Sequence, residues 1–110
     1  MEVVEINTGE WYLRGLRCDD RVDDRHALAD LGETDLDYVD QAGDDWASDD
    51  RYTWAVCIPS TGEMIAEVAL NPKTSFMESR GRPGFEDAAA MAEDTVRNYA
   101  SEVLNLRVWT

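Results

Sequence analysis

The residues from Arg51 to Leu70 leave this chain little choice of architecture. Tyr52, Trp54, Val56 and Ile58 alternate with Thr53, Ala55 and Cys57, which is the period of a strand. Pro59-Ser60-Thr61-Gly62 is a turn, and Glu63 to Leu70 returns with Met64, Ala66, Val68 and Leu70 on one face. Two such runs around a short turn predict an antiparallel hairpin. Two more β-rich runs lie upstream, Val3 to Ile6 and Trp11 to Leu16, joined by Asn7-Thr8-Gly9-Glu10. Downstream, Phe85, Ala88 or Ala89, Ala92, Val96, Tyr99 and Val103 recur at helical spacing, so Phe85 to Leu104 is the main helix. Glu86 and Asp87 stand in its first turn, where the helix dipole favours carboxylates. Leu106, Val108 and Trp109 form a last short strand, and Asn71 to Gly84 is a long loop. The expected fold is α+β: an antiparallel or mixed sheet of about five strands, helices on one face, order ββ-α(α)-ββ-α-β. At 110 residues it is a single domain, residues 1–110.

Between the two halves of this scaffold lies Asp19 to Asp50, in which 13 of 32 residues are carboxylates and only Arg21 and Arg25 oppose them. It therefore carries 11 of the 14 net negative charges. Asp19 or Asp20 can cap a helix from about Arg21 to Leu31, with Val22, Ala27, Leu28 and Leu31 as its apolar side. Thr34 opens a second short helix, from Asp35 to Gln41, that buries Leu36 and Val39 and stops at Gly43. Trp46 pins the following mobile loop to the core. Nine of the ten bases are arginine, a usage that a GC-rich genome or adaptation to high salt would produce. A halophile is acidic throughout, whereas residues 1–18 and 51–110 carry net charges of only −1 and −2, so the concentration argues for a local role.

Composition also excludes. There is no apolar run of about 18 residues to span a membrane. The acidic N-terminus, Met1-Glu2-Val3-Val4-Glu5, is unlike a secretion signal, so a cytoplasmic protein with Cys18 and Cys57 reduced is expected. No GxSxG, HExxH, phosphate-loop or dinucleotide motif is present, His26 is the only histidine, and the serines have no base nearby in sequence. Asp35-Leu36-Asp37-Tyr38-Val39-Asp40 departs from a calcium loop at Val39, at Asp40 and at Trp46, where glutamate is needed. No catalytic residue, metal or cofactor is expected from these patterns.

The acids come as doublets: Asp19 and Asp20, Asp23 and Asp24, Asp44 and Asp45, Asp49 and Asp50. On a helix, residues four apart repeat about every 6 Å, close to the spacing of phosphates along a nucleic-acid strand. Such crowding costs a few tenths of a kcal/mol per pair. These eight residues therefore read as a partner-binding face that occupies a basic, nucleic-acid-binding surface of another protein, with fast, salt-sensitive association. Nucleic acid itself is repelled, and no membrane is engaged. The reading that follows is a non-enzymatic acidic protein-binding module, a nucleic-acid mimic of the kind that phage-type inhibitors represent. The plainer reading is a charged face kept for solubility.

A resemblance points elsewhere. Trp11-Tyr12-Leu13-Arg14-Gly15-Leu16-Arg17-Cys18-Asp19-Asp20 looks like the opening strand of GNAT-type N-acetyltransferases. Tyr52-Thr53-Trp54-Ala55-Val56, with Thr61 to Leu70, is similar to that family's second and third strands. The resemblance covers about residues 11–70 and implies that Phe85 to Trp109 holds the acyl-CoA helix and the strand after it. It also implies that acetyl-CoA, if bound, is contacted by Arg80, Arg82 and Gly84. The family's diphosphate loop, R/Q-x-x-G-x-G/A, is not matched by Arg80-Gly81-Arg82-Pro83-Gly84-Phe85, where Pro83 has no N–H to donate. Asn71 to Ser79 also shows no counterpart of the strand before that loop. The alternative expectation is therefore a truncated or degenerate GNAT-like acetyltransferase.

Overall fold

The computed structural model describes all 110 residues. In chain order the elements are β1 (Ile6–Asn7), β2 (Tyr12–Arg14), α1 (Arg25–Asp30), α2 (Tyr38–Ser48), β3 (Tyr52–Cys57), β4 (Met64–Leu70), β5 (Met77–Gly81) and α3 (Glu86–Glu102). One antiparallel sheet contains all five strands in the order β1-β2-β3-β4-β5. The α+β class and the five strands are as expected. β3 and β4 pair from Tyr52 opposite Leu70 to Cys57 opposite Met64, with a bulge between Val56 and Cys57.

Alternation along β3 and β4 builds two cores. Trp54, Val56, Ala66, Val68 and Leu70 pack with Ala89, Ala92, Val96 and Ala100 of α3. Alanine at three of these four helix positions brings α3 close to the sheet. Trp46 joins this cluster, stacking on Tyr52 at 4.6 Å and meeting Trp54 edge-on at 4.9 Å. Such aromatic pairs contribute about 0.5–1.5 kcal/mol each beyond area burial. The opposite residues, Ala55, Cys57 and Met64, pack against Ala27 and Leu28 of α1 and Val39 of α2. So α3 covers one face, and the acidic segment covers the other through a narrow apolar footing. No helix is long and apolar enough to cross a membrane.

Several local expectations are corrected. α1 is only six residues, because Asp19 to Asp24 is taken up by a tight turn in which Asp19 accepts the N–H groups of Arg21 and Val22. α2 starts later and runs through Gly43 to Ser48, so Asp44 and Asp45 lie on a helix and not on a mobile loop. Glycine inside a helix costs about 1 kcal/mol, which burial of Val39, Ala42 and Trp46 on one stripe offsets. Leu36 precedes this helix and is 72% exposed. The strand expected at Leu106 to Trp109 is reduced to one parallel bridge, Phe76 with Trp109.

The largest correction is β5, which lies inside the stretch expected to be a loop. Asn71 caps a turn by accepting the N–H groups of Lys73 and Thr74, and Ser75 takes a φ of 63°. The chain is thereby returned against β4, Leu70 opposite Met77 and Ala66 opposite Gly81. Only Met77 of the five residues is an apolar side chain that the core absorbs. An edge strand can carry such a polar sequence, which is why pattern alone did not reveal it.

Candidate functional site

The β4–β5 register places Glu67 beside Arg80, both on the α1–α2 side of the sheet. Glu67 is 3% exposed, and a carboxylate this buried must be satisfied. It is: Arg80 Nε donates to Oε1 at 2.7 Å, and Tyr38 Oη on α2 donates to Oε2 at 2.7 Å. Arg51 Nη1 in turn donates to Tyr38 Oη at 2.9 Å, and its Nη2 donates to Glu78 at 3.2 Å. The Arg80 guanidinium also lies 5.7 Å from the Tyr38 ring centroid and 3.4 Å from Glu33. Burial, and then the nearby Glu67 charge, push the Tyr38 hydroxyl above its ordinary pKa, so it serves as a donor. Burial opposes charge on Arg80, but its hydrogen bond to Glu67 outweighs this and holds it above the ordinary value. These side chains, with Ser79, line a hollow of about 340 Å³. Its carboxylates differ in role. Glu67 has both oxygens engaged, whereas the Glu78 side chain is 59% exposed.

The hollow lies beside the open edge of β5. Arg82 N donates to Ile65 O, and Phe76 O accepts from Asn71 N, so even-numbered residues of the strand face β4. The odd residues Met77, Ser79 and Gly81 therefore present their N–H and C=O groups outward. Met77 N uses this direction to reach Trp109 O at 2.8 Å. Ser79 and Gly81 lie past that contact, with outward backbone groups that pair with no other segment of the chain.

The loop after β5 is folded on itself. A Cβ at Gly81 would lie 2.7 Å from Phe85 O, so only glycine fits there. Pro83 has no N–H, Phe85 N donates to Arg82 O at 2.8 Å, and Gly84 N points to Glu86 Oε1 at 3.4 Å. Gly84 takes a φ of 89°. Arg82 is clamped by Asp30 at 2.6 Å, Glu63 at 2.9 Å and Met64 O at 3.2 Å. Of the residues that the family resemblance implicates, Arg80 lies in the hollow, and Arg82 and Gly84 lie in this loop. Tested against the diphosphate of CoA, the donor set does not fit: from Arg82 to Phe85 each N–H is used internally or absent, and both guanidiniums are held by carboxylates.

The acidic doublets are largely occupied locally. Asp24 is buried, and so is no part of an exposed face: Arg14 holds it with two bonds of 2.8 and 2.9 Å, and Arg17 N adds a third at 2.7 Å. Backbone N–H groups of Arg21 and Val22, with Arg17, hold Asp19 down to about 2. Asp23 pairs with Arg25, Asp49 accepts from Tyr52 Oη and the Met1 ammonium, and Asp50 pairs with Lys73. Asp45 accepts from Gln41 within α2, while Asp20 and Asp44 are exposed. Cys57 is buried, which pushes its thiol up to about 11, far from a nucleophile's range. Sequence reasoning missed Tyr38, Arg51, Glu67 and Glu78. One signal was available: Glu67 is the lone charge in the apolar run Met64 to Leu70.

No family model and no curated protein matches the sequence. Solved structures do match the fold. A candidate ribosomal-protein-serine acetyltransferase from Vibrio cholerae superimposes with a TM-score of 0.71 at 16% identity, over 94% of this chain and 70% of that one. An acetyltransferase from Agrobacterium tumefaciens str. C58 gives 0.69 at 22% identity, over 96% of this chain and 71% of that one. These likenesses overturn the reading of the chain as a non-enzymatic acidic inhibitor module. The structures it is similar to are acetyltransferases, and in this fold the acidic stretch is the α1–α2 segment that covers one face of the sheet. The fold is that of the GNAT-type acetyltransferases, as the strand motifs implied.

Proposed function

We propose that this chain is an acyl-transfer protein of the N-acetyltransferase type, which takes an acyl thioester along the free edge of β5 and an amine in the hollow beside it. The observation that carries this reading is the outward N–H and C=O of Ser79 and Gly81 next to the Glu33–Tyr38–Arg51–Glu78 hollow. The arm of a pantetheine thioester is extended and carries two amides, and such a ligand pairs with an exposed strand edge as an added strand does. The hollow has three carboxylates, Glu33, Glu67 and Glu78, against two guanidiniums, Arg51 and Arg80, and the chain has a net charge of −14, both of which favour a cationic amine.

The roles follow from accessibility. Transfer forms a C–N bond, breaks the C–S bond and releases the thiol, and the ammonium must first lose a proton. Glu78 is the accessible carboxylate on β5 and is the group assigned to take it, with the Arg51 guanidinium 3.2 Å away. Glu67 anchors Arg80 and Tyr38 and is a positioning residue. Steady-state assay of thiol release from an acetyl thioester with an amine acceptor tests this. Glu78→Gln should lower kcat by about 10²–10⁴-fold with the melting temperature unchanged. Full activity in that variant would remove Glu78 from the mechanism. Glu67→Gln should instead lower stability, because Arg80 loses its buried partner.

A further inference from the structure

We infer that this chain does not bind the nucleotide diphosphate of CoA and recognises an acyl thioester through its amide-bearing arm alone. This rests on the acyl-transfer reading above and specifies its donor. Anion binding at the start of a helix needs free N–H groups and an uncompensated dipole. From Arg82 to Phe85 the loop offers no free N–H, and the dipole of α3 is already compensated by its first-turn carboxylates. Arg82 N donates to Ile65 O and Phe85 N to Arg82 O, Pro83 has no N–H, and Gly84 N faces Glu86. Glu86 and Asp87 already stand at the positive end of α3. At its Gly81 end the loop is also closed, because a single methyl group on the Gly81 Cα would fill the gap to Phe85 O.

The nearby cations are committed as well. Arg82 is shared between Asp30 and Glu63, and Arg80 between Glu67 and Glu33. Both are drawn across the strand towards the α1–α2 segment, away from the helix start. A diphosphate entering the loop would have to break these pairs and sit against two carboxylates, in a chain whose net charge is −14. An uncharged amide arm meets none of this at Ser79 and Gly81.

The test is isothermal titration of the intact chain with S-acetylpantetheine and with acetyl-CoA. Affinities within about threefold of each other are expected, since the nucleotide adds nothing. Acetyl-CoA binding more than about tenfold tighter would overturn the inference. A loop variant, Pro83→Gly with Glu86→Gln and Asp87→Asn, separates this inference from the function on which it rests. It should gain about tenfold or more for acetyl-CoA with S-acetylpantetheine unchanged. No gain for acetyl-CoA would show that the loop is not what excludes the diphosphate, and would overturn the inference. Failure of both ligands to bind the wild-type chain would instead refute the acyl-transfer reading, while a gain for acetyl-CoA in the variant would still support the exclusion.

Discussion

Asp24 shows how little a residue's neighbours in sequence reveal about its task. It sits among 13 carboxylates, where composition says surface, yet it is 3% exposed and accepts three hydrogen bonds, two from Arg14 and one from Arg17 N. Its partner is on β2, and only the fold brings the two together. Arg14 is also buried and reaches the carbonyls of Gly15 and Gly62, so the pair ties β2 to the turn between β3 and β4. Removing one member leaves the other charge buried and alone. Asp24→Asn should cost about 3–5 kcal/mol in urea denaturation, whereas Asp20→Asn, on an exposed side chain, should cost almost nothing. Tyr52 makes a second prediction at this scale. Burial, with the Asp49 carboxylate beside it, pushes its hydroxyl up to about 12 from 10.0. A folded pKa raised above the unfolded value stabilises fully below about pH 10 and is lost as pH rises towards 12. Unfolding free energy should therefore fall across that window, and Tyr52→Phe should flatten the fall.

At the scale of elements, alternation and helical spacing were reliable wherever an apolar core imposed them. β3, β4 and α3 are expected close to where they lie, and the helices of the acidic segment are anticipated through Ala27, Leu28 and Val39, whereas Leu36, expected to be buried, is exposed and Trp46, expected on a loop, lies in α2. What alternation could not show is β5, whose sequence Met-Glu-Ser-Arg-Gly is polar because the strand lies at an edge. Its evidence is relational: Arg80 pairs with Glu67 across the ladder, and Gly81 makes way for Phe85. Gly81→Ala would put a methyl group 2.7 Å from Phe85 O, a backbone atom that cannot swing aside. We expect a loss of about 1–3 kcal/mol, read as a lowered melting temperature, with the larger disturbance at the end of β5 and the first turn of α3. Gly84→Ala, with open space around its Cα, should be limited to the cost of its positive φ.

At the scale of the whole molecule, the residues of the candidate site are too dispersed for any motif to capture. Glu33, Tyr38, Arg51, Glu67, Glu78 and Arg80 come from two loops, a helix and the strands β4 and β5, and they converge only when the sheet forms. The strand motifs shared with acetyltransferases signalled the fold, and the mismatch at Pro83 signalled the altered loop. The charge density from Asp19 to Asp50 draws attention to itself, but much of it is absorbed in local turns and ion pairs, on a segment whose apolar side covers the sheet. What distinguishes this chain chemically is therefore the open edge of β5 beside a polar hollow, with a closed loop at the start of α3.

That edge can be examined residue by residue. The most direct measurement is an amide NMR titration of the intact chain with S-acetylpantetheine, followed by hydrogen exchange of the complex. Pairing along β5 predicts that the Ser79 and Gly81 amides shift and exchange more slowly, with smaller effects at Glu78 and Arg80. Unmoved Ser79 and Gly81 amides, or shifts that map only to other surfaces, would contradict acyl-thioester binding at this edge.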